Sequence, residues 1–206
     1  MRRVTVPNLS MVAIQVIEFV TARPARSLGM IARMRDEPGP ECWLSDALEV
    51  RSSRIDGLGL FAARPIPAGE IVSRLGGRLV TDSELNRLFS ETTSYIDTVS
   101  VYSDRNLVLP DGSNNHAGNH SCDPNTWWLD PFLIIARRGI ASDEEITIDY
   151  ASITDDTQFS LECRCGAANC RGVVTGTDWR DTRLQTAYGE HWVPVLRDRI
   201  AETSGQ

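Results

Sequence analysis

The sequence contains no lysine: all 21 of its basic residues are arginine. It also lacks any run of eighteen apolar residues, which excludes a hydrophobic helix spanning a bilayer. An excess of positive charge is missing too. Against 21 arginines stand 28 acids, for a net charge of −7. That argues against a generic nucleic-acid binder, whose affinity rests on neutralising phosphates. There is no internal repeat and no low-complexity tract. Five cysteines make an odd number, and no convincing export signal precedes them. A disulfide framework is therefore not expected, and a reducing, intracellular, cytoplasmic setting is. What remains is 206 residues, 41% hydrophobic and 24% charged, enough to bury one domain core.

The charge is unevenly spread. Residues 1–35 hold six arginines and a single acid, Glu18, whereas residues 36–206 hold 15 arginines and 27 acids. An acidic body attracts a basic peptide and repels a nucleic-acid backbone, and it also serves solubility. Met11–Val20 is apolar but broken by Gln15 and Glu18. Arg2 and Arg3 precede it in the manner of an export or transit signal, yet no small-x-small cleavage site follows. Residues 1–40 are expected to be a flexible arm, or in part the product of a start placed upstream of Met30 or Met34. Asp36–Pro40 reads as a linker.

From Leu48 the pattern changes to short elements with turns between them. Leu48–Arg51 and Gly59–Ala62 read as strands around the turn Asp56-Gly57, followed by strands at Ile71–Leu75 and Arg78–Val80. Thr81-Asp-Ser-Glu84 has capping-box spacing, which predicts a helix from Asp82 to Phe89. Tyr95–Val101, Asn106–Leu109, Phe132–Ala136 and Glu145–Tyr150 read as further strands. Many short strands with few short helices predict a mostly-β domain. The tail differs: Leu184, Tyr188, Trp192, Leu196 and Ile200 form a helical stripe that Gly189 and Pro194 split into two helices, Pro194 opening the second. Core packing is the expected role of that stripe; walling a channel is the alternative.

Three stretches carry chemistry. Asp56-Gly57-Leu58-Gly59 lets backbone approach a ligand closely, because no Cβ intervenes, but it lacks the third glycine and the helix of a dinucleotide site. Asn119-His-Ser-Cys-Asp-Pro-Asn125 places seven polar or turn-forming residues between apolar segments, which is costly unless neighbours or a ligand satisfy them. Cys163-x-Cys165-x4-Cys170, with Gly166 and Gly172 at the bends, offers three ligands for zinc, which takes four in a closed structural site. Either Cys122 or Cys42 must supply the last.

Taken in order, Gly57-Leu-Gly59, Asn119-His-Ser-Cys-Asp-Pro-Asn125, Asp143-Glu-Glu-Ile-Thr-Ile-Asp-Tyr150 and the three clustered cysteines resemble the SET-domain protein-lysine methyltransferases with a post-SET zinc segment. The likeness covers about residues 48–175 and extends to the short stand-alone SET proteins of bacteria. It implies a mostly-β, β-clip-like fold with a pseudoknot, few short helices and a C-terminal helical tail. The implied divisions are an arm at 1–40, a SET domain at 41–152, a post-SET segment at 153–175 and a helical extension at 176–206. It implies structural zinc on Cys122, Cys163, Cys165 and Cys170, leaving Cys42 free. It implies S-adenosylmethionine held by Asp56, Gly57 and Leu58 through backbone, and by Asn119 and His120. Tyr150 falls on the family's catalytic tyrosine, Tyr95 matches a tyrosine of the lysine channel, and Ile148 falls where product specificity is set. The implied activity is methyl transfer to lysine in a protein or peptide with a basic segment, without direct nucleic-acid or membrane contact. The alternative is a catalytically weak SET module acting as a peptide-binding interaction protein. A chain without lysine cannot be its own lysine substrate.

The departures from the resemblance are also specific. His116, Ala117 and Gly118 replace the usual Arg, Phe and apolar residue before Asn119, from which a looser or differently filled cofactor pocket is expected. Asp143 replaces a glycine, which a turn tolerates. Ile148 replaces an aromatic residue and has no hydroxyl to hold a water.

Overall fold

A computed structural model of the chain describes residues 37–205. The expectations for residues 1–36 lie outside the described residues. The strands are β1 (Trp43–Leu44), β2 (Leu48–Ser52), β3 (Leu58–Ala62), β4 (Ile71–Arg74), β5 (Arg78–Val80), β6 (Thr98–Tyr102), β7 (Arg105–Val108), β8 (Asn119–His120), β9 (Thr126–Asp130), β10 (Leu133–Ala136), β11 (Glu145–Ile148), β12 (Ser160–Glu162) and β13 (Val173–Thr175). The helices are α1 (Asp82–Glu91), α2 (Thr182–Tyr188) and α3 (Pro194–Ser204). Single 3-10 turns occupy Asn114–Ala117, Tyr150–Ser152 and Asp178–Arg180. Among the described residues, no helix is long and apolar enough to cross a membrane.

The strands form small sheets in the orders β1-β4-β10-β9, β2-β3-β11-β8, β5-β7-β6 and β12-β13. The β2–β3 hairpin pairs Leu48 with Ala62 through Ser52 with Leu58. Gly57 at φ +41° turns its loop, where the Ser53 N–H donates to the Gly57 carbonyl at 2.9 Å. β8 runs parallel to β11, pairing Asn119 with Thr147 and His120 with Ile148. Parallel pairing demands a long crossover, and here the chain after β8 returns past β11 to begin β9. Asn125, 1% exposed, fastens that passage: its Nδ2 donates to the Glu145 carbonyl at 2.8 Å and its Oδ1 accepts from the Thr147 N–H at 2.8 Å. The polar run noted in the sequence is thus satisfied by the strand it threads beside.

Thr81 caps α1 by accepting from the Glu84 N–H at 3.2 Å, and the helix continues to Glu91, two residues beyond the expected end. Asp143 adopts φ +65° and accepts from Arg51 at 2.9 Å, so an aspartate serves where the resemblance has a glycine. Asp is one of the few L-residues that tolerate this region.

Two apolar clusters support the sheets. One gathers Leu60, Ile66, Val72, Ala117, Ile140 and Ile146 under β2, β3 and β11. The other joins Trp128, Leu107 and Ile148 to Tyr188, Trp192 and Leu196 of the tail. The tail divides as its glycine and proline dictate, with Gly189 ending α2 and Pro194 in the first turn of α3. Its stripe is core packing, and the core it completes lies directly behind Ile148.

Candidate active site

Asn119 sits at the start of β8, beneath the β2–β3 loop. Its amide NH2 has three acceptors in reach: the carbonyls of Leu58 at 3.0 Å and Asp56 at 3.2 Å, and Glu145 Oε1 at 2.8 Å. Ser53 Oγ donates to both oxygens of the same carboxylate, at 2.7 and 3.0 Å. A Cβ at residue 59 would lie 2.4 Å from Glu145 Oε1, so Gly59 is required to admit that carboxylate. The Gly-x-Gly pair therefore has divided duties: Gly57 turns the loop, and Gly59 makes room for Glu145 rather than for a ligand. With its NH2 spent on the protein, Asn119 presents Oδ1 as its acceptor.

His120 is 2% exposed, and its side chain is fully engaged. The Tyr150 N–H donates to Nδ1 at 3.2 Å, which fixes Nδ1 as an acceptor and places the proton on Nε2, 3.3 Å from Cys122 Sγ. Burial lowers the His120 pKa, the main influence on it, and the ring is neutral. Asp149 Oδ1 at 3.5 Å is accordingly a polar contact and not an ion-pair partner. The imidazole is a strut between Tyr150 and the cysteine cluster, and it is His120 backbone that a ligand can reach.

The sulfurs of Cys122, Cys163, Cys165 and Cys170 lie within 4.8 Å of one another, and Cys122 and Cys163 stand 3.8 Å apart. Tetrahedral zinc with bonds of about 2.3 Å separates its sulfurs by about 3.8 Å, so the donor set and spacing fit a closed zinc site. Backbone N–H groups point at the sulfurs: Arg171 to Cys122 at 3.3 Å, Cys122 to Cys165 at 3.5 Å and Gly172 to Cys170 at 3.4 Å. Such donors spread the negative charge of metal-bound thiolates. Cys42 stands apart, accepting from the Gly76 N–H at 3.2 Å. That settles the choice the spacing left open in favour of Cys122.

Beside the cluster lies the most buried charge of the site. Asp149, 1% exposed, receives both terminal nitrogens of Arg171 at 2.7 Å, the Tyr188 hydroxyl at 2.7 Å and the Ala151 N–H at 2.9 Å. Arg171 also binds Asp178 at 3.0 Å. Burial pushes the Asp149 carboxyl up, but the Arg171 guanidinium outweighs it and holds the group below its usual range. One carboxylate thereby ties together the cysteine segment, the C-terminal extension and the 3-10 turn that begins at Tyr150.

Tyr150 stands between two cavities. The smaller, about 270 Å³, is walled by Ile55, Asp56, Asn119, His120, Leu161 and Arg164, among others. The larger, about 370 Å³, is lined mainly by apolar residues, including Val99, Leu109, Trp128, Ile148 and Phe159. Tyr150 lines both, and its hydroxyl donates to the Gly118 carbonyl at 3.1 Å. Burial, with the charges of Tyr95, Asp97 and Asp56, pushes its pKa up to about 12. The phenol stays protonated at neutral pH, a hydrogen-bond donor and not a base.

Residues 57–151 match the family model described as SET domain. Over that stretch the chain is similar to SET domains. It is 33% identical over 140 residues to histone-lysine N-methyltransferase ATX2 of Arabidopsis thaliana, covering 61% of this chain and 13% of that protein. It is 31% identical over 141 residues to human histone-lysine N-methyltransferase 2D, covering 63% of this chain and 2% of that protein. The chain thus spans a small part of the curated relatives it matches. The crystal structure of the methyltransferase domain of human histone-lysine N-methyltransferase SETMAR shares the fold at a TM-score of 0.51, 24% identity, and coverage of 63% of this chain and 58% of that one.

Asp56, Asn119, His120 and Tyr150 meet at the smaller cavity, while Gly57 and Leu58 follow Asp56 in the chain but are not part of its wall. Tyr95, 84% exposed, Ile148 and Tyr150 meet at the larger one. His116 and Gly118 line the larger cavity and not the smaller, so the space that the sequence departures were expected to open beside the cofactor opens on the other side of Tyr150. Glu145, Asp149, Arg171 and Tyr188 escaped the sequence reading. Asp149 and Arg171 each neighbour a residue that was singled out, and a charged residue inside a motif was the available signal. Tyr188 looked like any apolar stripe member.

Proposed function

We propose that the chain is an S-adenosylmethionine-dependent protein-lysine N-methyltransferase, with the cofactor in the smaller cavity and the substrate lysine in the larger. The observation that carries this reading is the junction of the two cavities at Tyr150, one bordered by Asp56, Asn119, His120 and Arg164 and the other, larger, lined mainly by aliphatic and aromatic side chains. The residues fit the cofactor: Asn119 Oδ1 is an acceptor for the ammonium of its amino-acid end, and Asp56 and the His120 backbone border the rest.

When bound, S-adenosylmethionine supplies a positively charged sulfonium whose methyl group is the electrophile. The chain's own contribution is alignment and exclusion of water. Lysine is nucleophilic only as the neutral amine, and its ordinary pKa is about 10.4. The apolar walls of the larger cavity disfavour the ammonium and so favour release of its proton. Tyr150, protonated and fixed by its bond to Gly118, orients the reacting groups from the junction. Holding two reactants in line is worth up to about 7–11 kcal/mol of barrier. Zinc on four cysteines has no open position, so its role is to hold the segment that forms one wall of the smaller cavity. The acidic body suits a basic, lysine-bearing segment of a protein substrate, read without nucleic acid. A reducing cytoplasm suits the four thiolates.

Calorimetry with S-adenosylmethionine, followed by radiolabelled methyl transfer into a proteome extract, tests the reading. Saturable binding and lysine-borne label support it. Absence of cofactor binding by zinc-loaded protein overturns it.

A further inference from the structure

The larger cavity has one carboxylate in its wall, Asp97, and one imidazole, His116. Every other charged type is missing from its lining. Asp97 immediately precedes β6, and its carbonyl accepts from the Leu109 N–H at 3.0 Å, which fixes it beside the end of β7. It is half-buried, and burial raises its carboxyl pKa against the opposing influence of the His116 imidazole and a hydrogen bond from the Thr98 N–H. No arginine pairs with it among the described residues. The contrast with the other inward-facing acids is plain: Asp149 and Asp178 are both held by Arg171. In a chain of 21 arginines, a carboxylate left unpaired in an apolar cavity carries a desolvation penalty that an incoming cation removes.

We propose that Asp97 is the substrate anchor of the larger cavity, binding the ammonium head of the lysine side chain while Val99, Leu109 and Ile148 take its apolar stem. This rests on the reading of the cavity given above. A ligand suited to the site has one positive charge at the end of a slender unbranched chain. Asp97 and the reaction then pull in opposite directions. A nearby carboxylate stabilises the ammonium, and methyl transfer needs the amine. Asp97 is therefore a group for capture and selection, whose loss raises KM and leaves kcat unchanged or higher.

The test uses zinc-loaded full-length protein and two probes: butylammonium, the lysine side chain alone, and butan-1-ol, its neutral counterpart. Ligand-detected NMR on wild type is expected to show butylammonium bound about tenfold more tightly. Asp97→Asn should erase the preference, and Asp97→Glu should keep part of it; thermal unfolding of both variants checks the fold. Equal binding of the two probes by wild type, a preference that survives Asp97→Asn, or no butylammonium binding overturns the proposal. So does a fall in kcat at unchanged KM in Asp97→Asn, which would make the residue a base. Calorimetry with cofactor on the same samples separates the two readings. Charge-selective binding without cofactor binding overturns the methyltransferase assignment and keeps the anchor. Lysine methylation with both probes treated alike overturns the anchor only.

Discussion

The two cavities that meet at Tyr150 are built in opposite ways. The smaller is walled by three short sequence stretches, the β2–β3 loop, β8 and the segment from Ser160 to Arg164. Behind it three polar side chains are held by the protein itself: the Asn119 NH2 by three acceptors, His120 by Tyr150 and Cys122, Asp149 by four donors. The larger is assembled from single residues of many elements, mostly apolar, with one acid, Asp97, that no arginine pairs among the described residues. The difference teaches how a site divides its labour. A rigid, hydrogen-bonded side recognises its ligand through fixed polar partners, and a sparsely marked side recognises its ligand through shape.

The severest way to break the contrast is to remove the metal. Cys163→Ser or any of its three counterparts should release zinc, loosen the wall from Ser160 to Arg164 and abolish cofactor binding, whereas Cys42→Ser should do neither. Metal analysis and calorimetry check both. Next comes Arg171→Met, which leaves Asp149 buried without its cation and should cost about 3–5 kcal/mol of stability in denaturant unfolding. The polar side should fail first, with Tyr150 losing its support. Tyr150→Phe is milder in structure. It removes the one side-chain polar group both cavities share, and turnover should fall about 100-fold or more while cofactor affinity and fold persist. The smallest effect belongs to the apolar side. Ile148 has no hydroxyl to hold a water where further methyls must sit, so wild type should proceed to di- or trimethyllysine. Ile148→Tyr should restrict it towards monomethyllysine at little cost in rate. Mass spectrometry of the product reads this directly. Monomethyllysine alone from wild type, under long incubation with excess cofactor, would remove Ile148 from that role.

The same contrast governs what the sequence discloses. The rigid side is built from a few short stretches of conspicuous residue types, although the partners they hold lie far along the chain: Asn119 binds carbonyls 61 and 63 residues earlier. Gly57, Asn119 and the cysteines announce themselves by type and spacing, Tyr150 by the family resemblance, and the strands β2–β7, β10 and β11 by patterning between turns that carry glycine and proline. The larger cavity gives no such notice. Val99, Leu109 and Trp128 look like core residues, and only the fold separates a wall from a filling. The three residues before Asn119 were visibly unusual, yet the side of Tyr150 on which they open space is decided by the bend of Asn114–Ala117, which no local pattern encodes. Asp149 escaped notice because its partners lie 22 and 39 residues further on.

Those separations set a timetable for biosynthesis. When Asp149 and Tyr150 emerge from the ribosome, Arg171 and Tyr188 have yet to emerge, and a bare carboxylate keeps its water. The turn that carries Tyr150 cannot settle into the interior until the chain has been extended through α2. Released chains truncated after residue 165 are therefore expected to be cut readily by protease around Tyr150, and the full chain to resist. Synthesis itself acts as the safety catch: a half-made polypeptide has Tyr150 but not the means to hold it still.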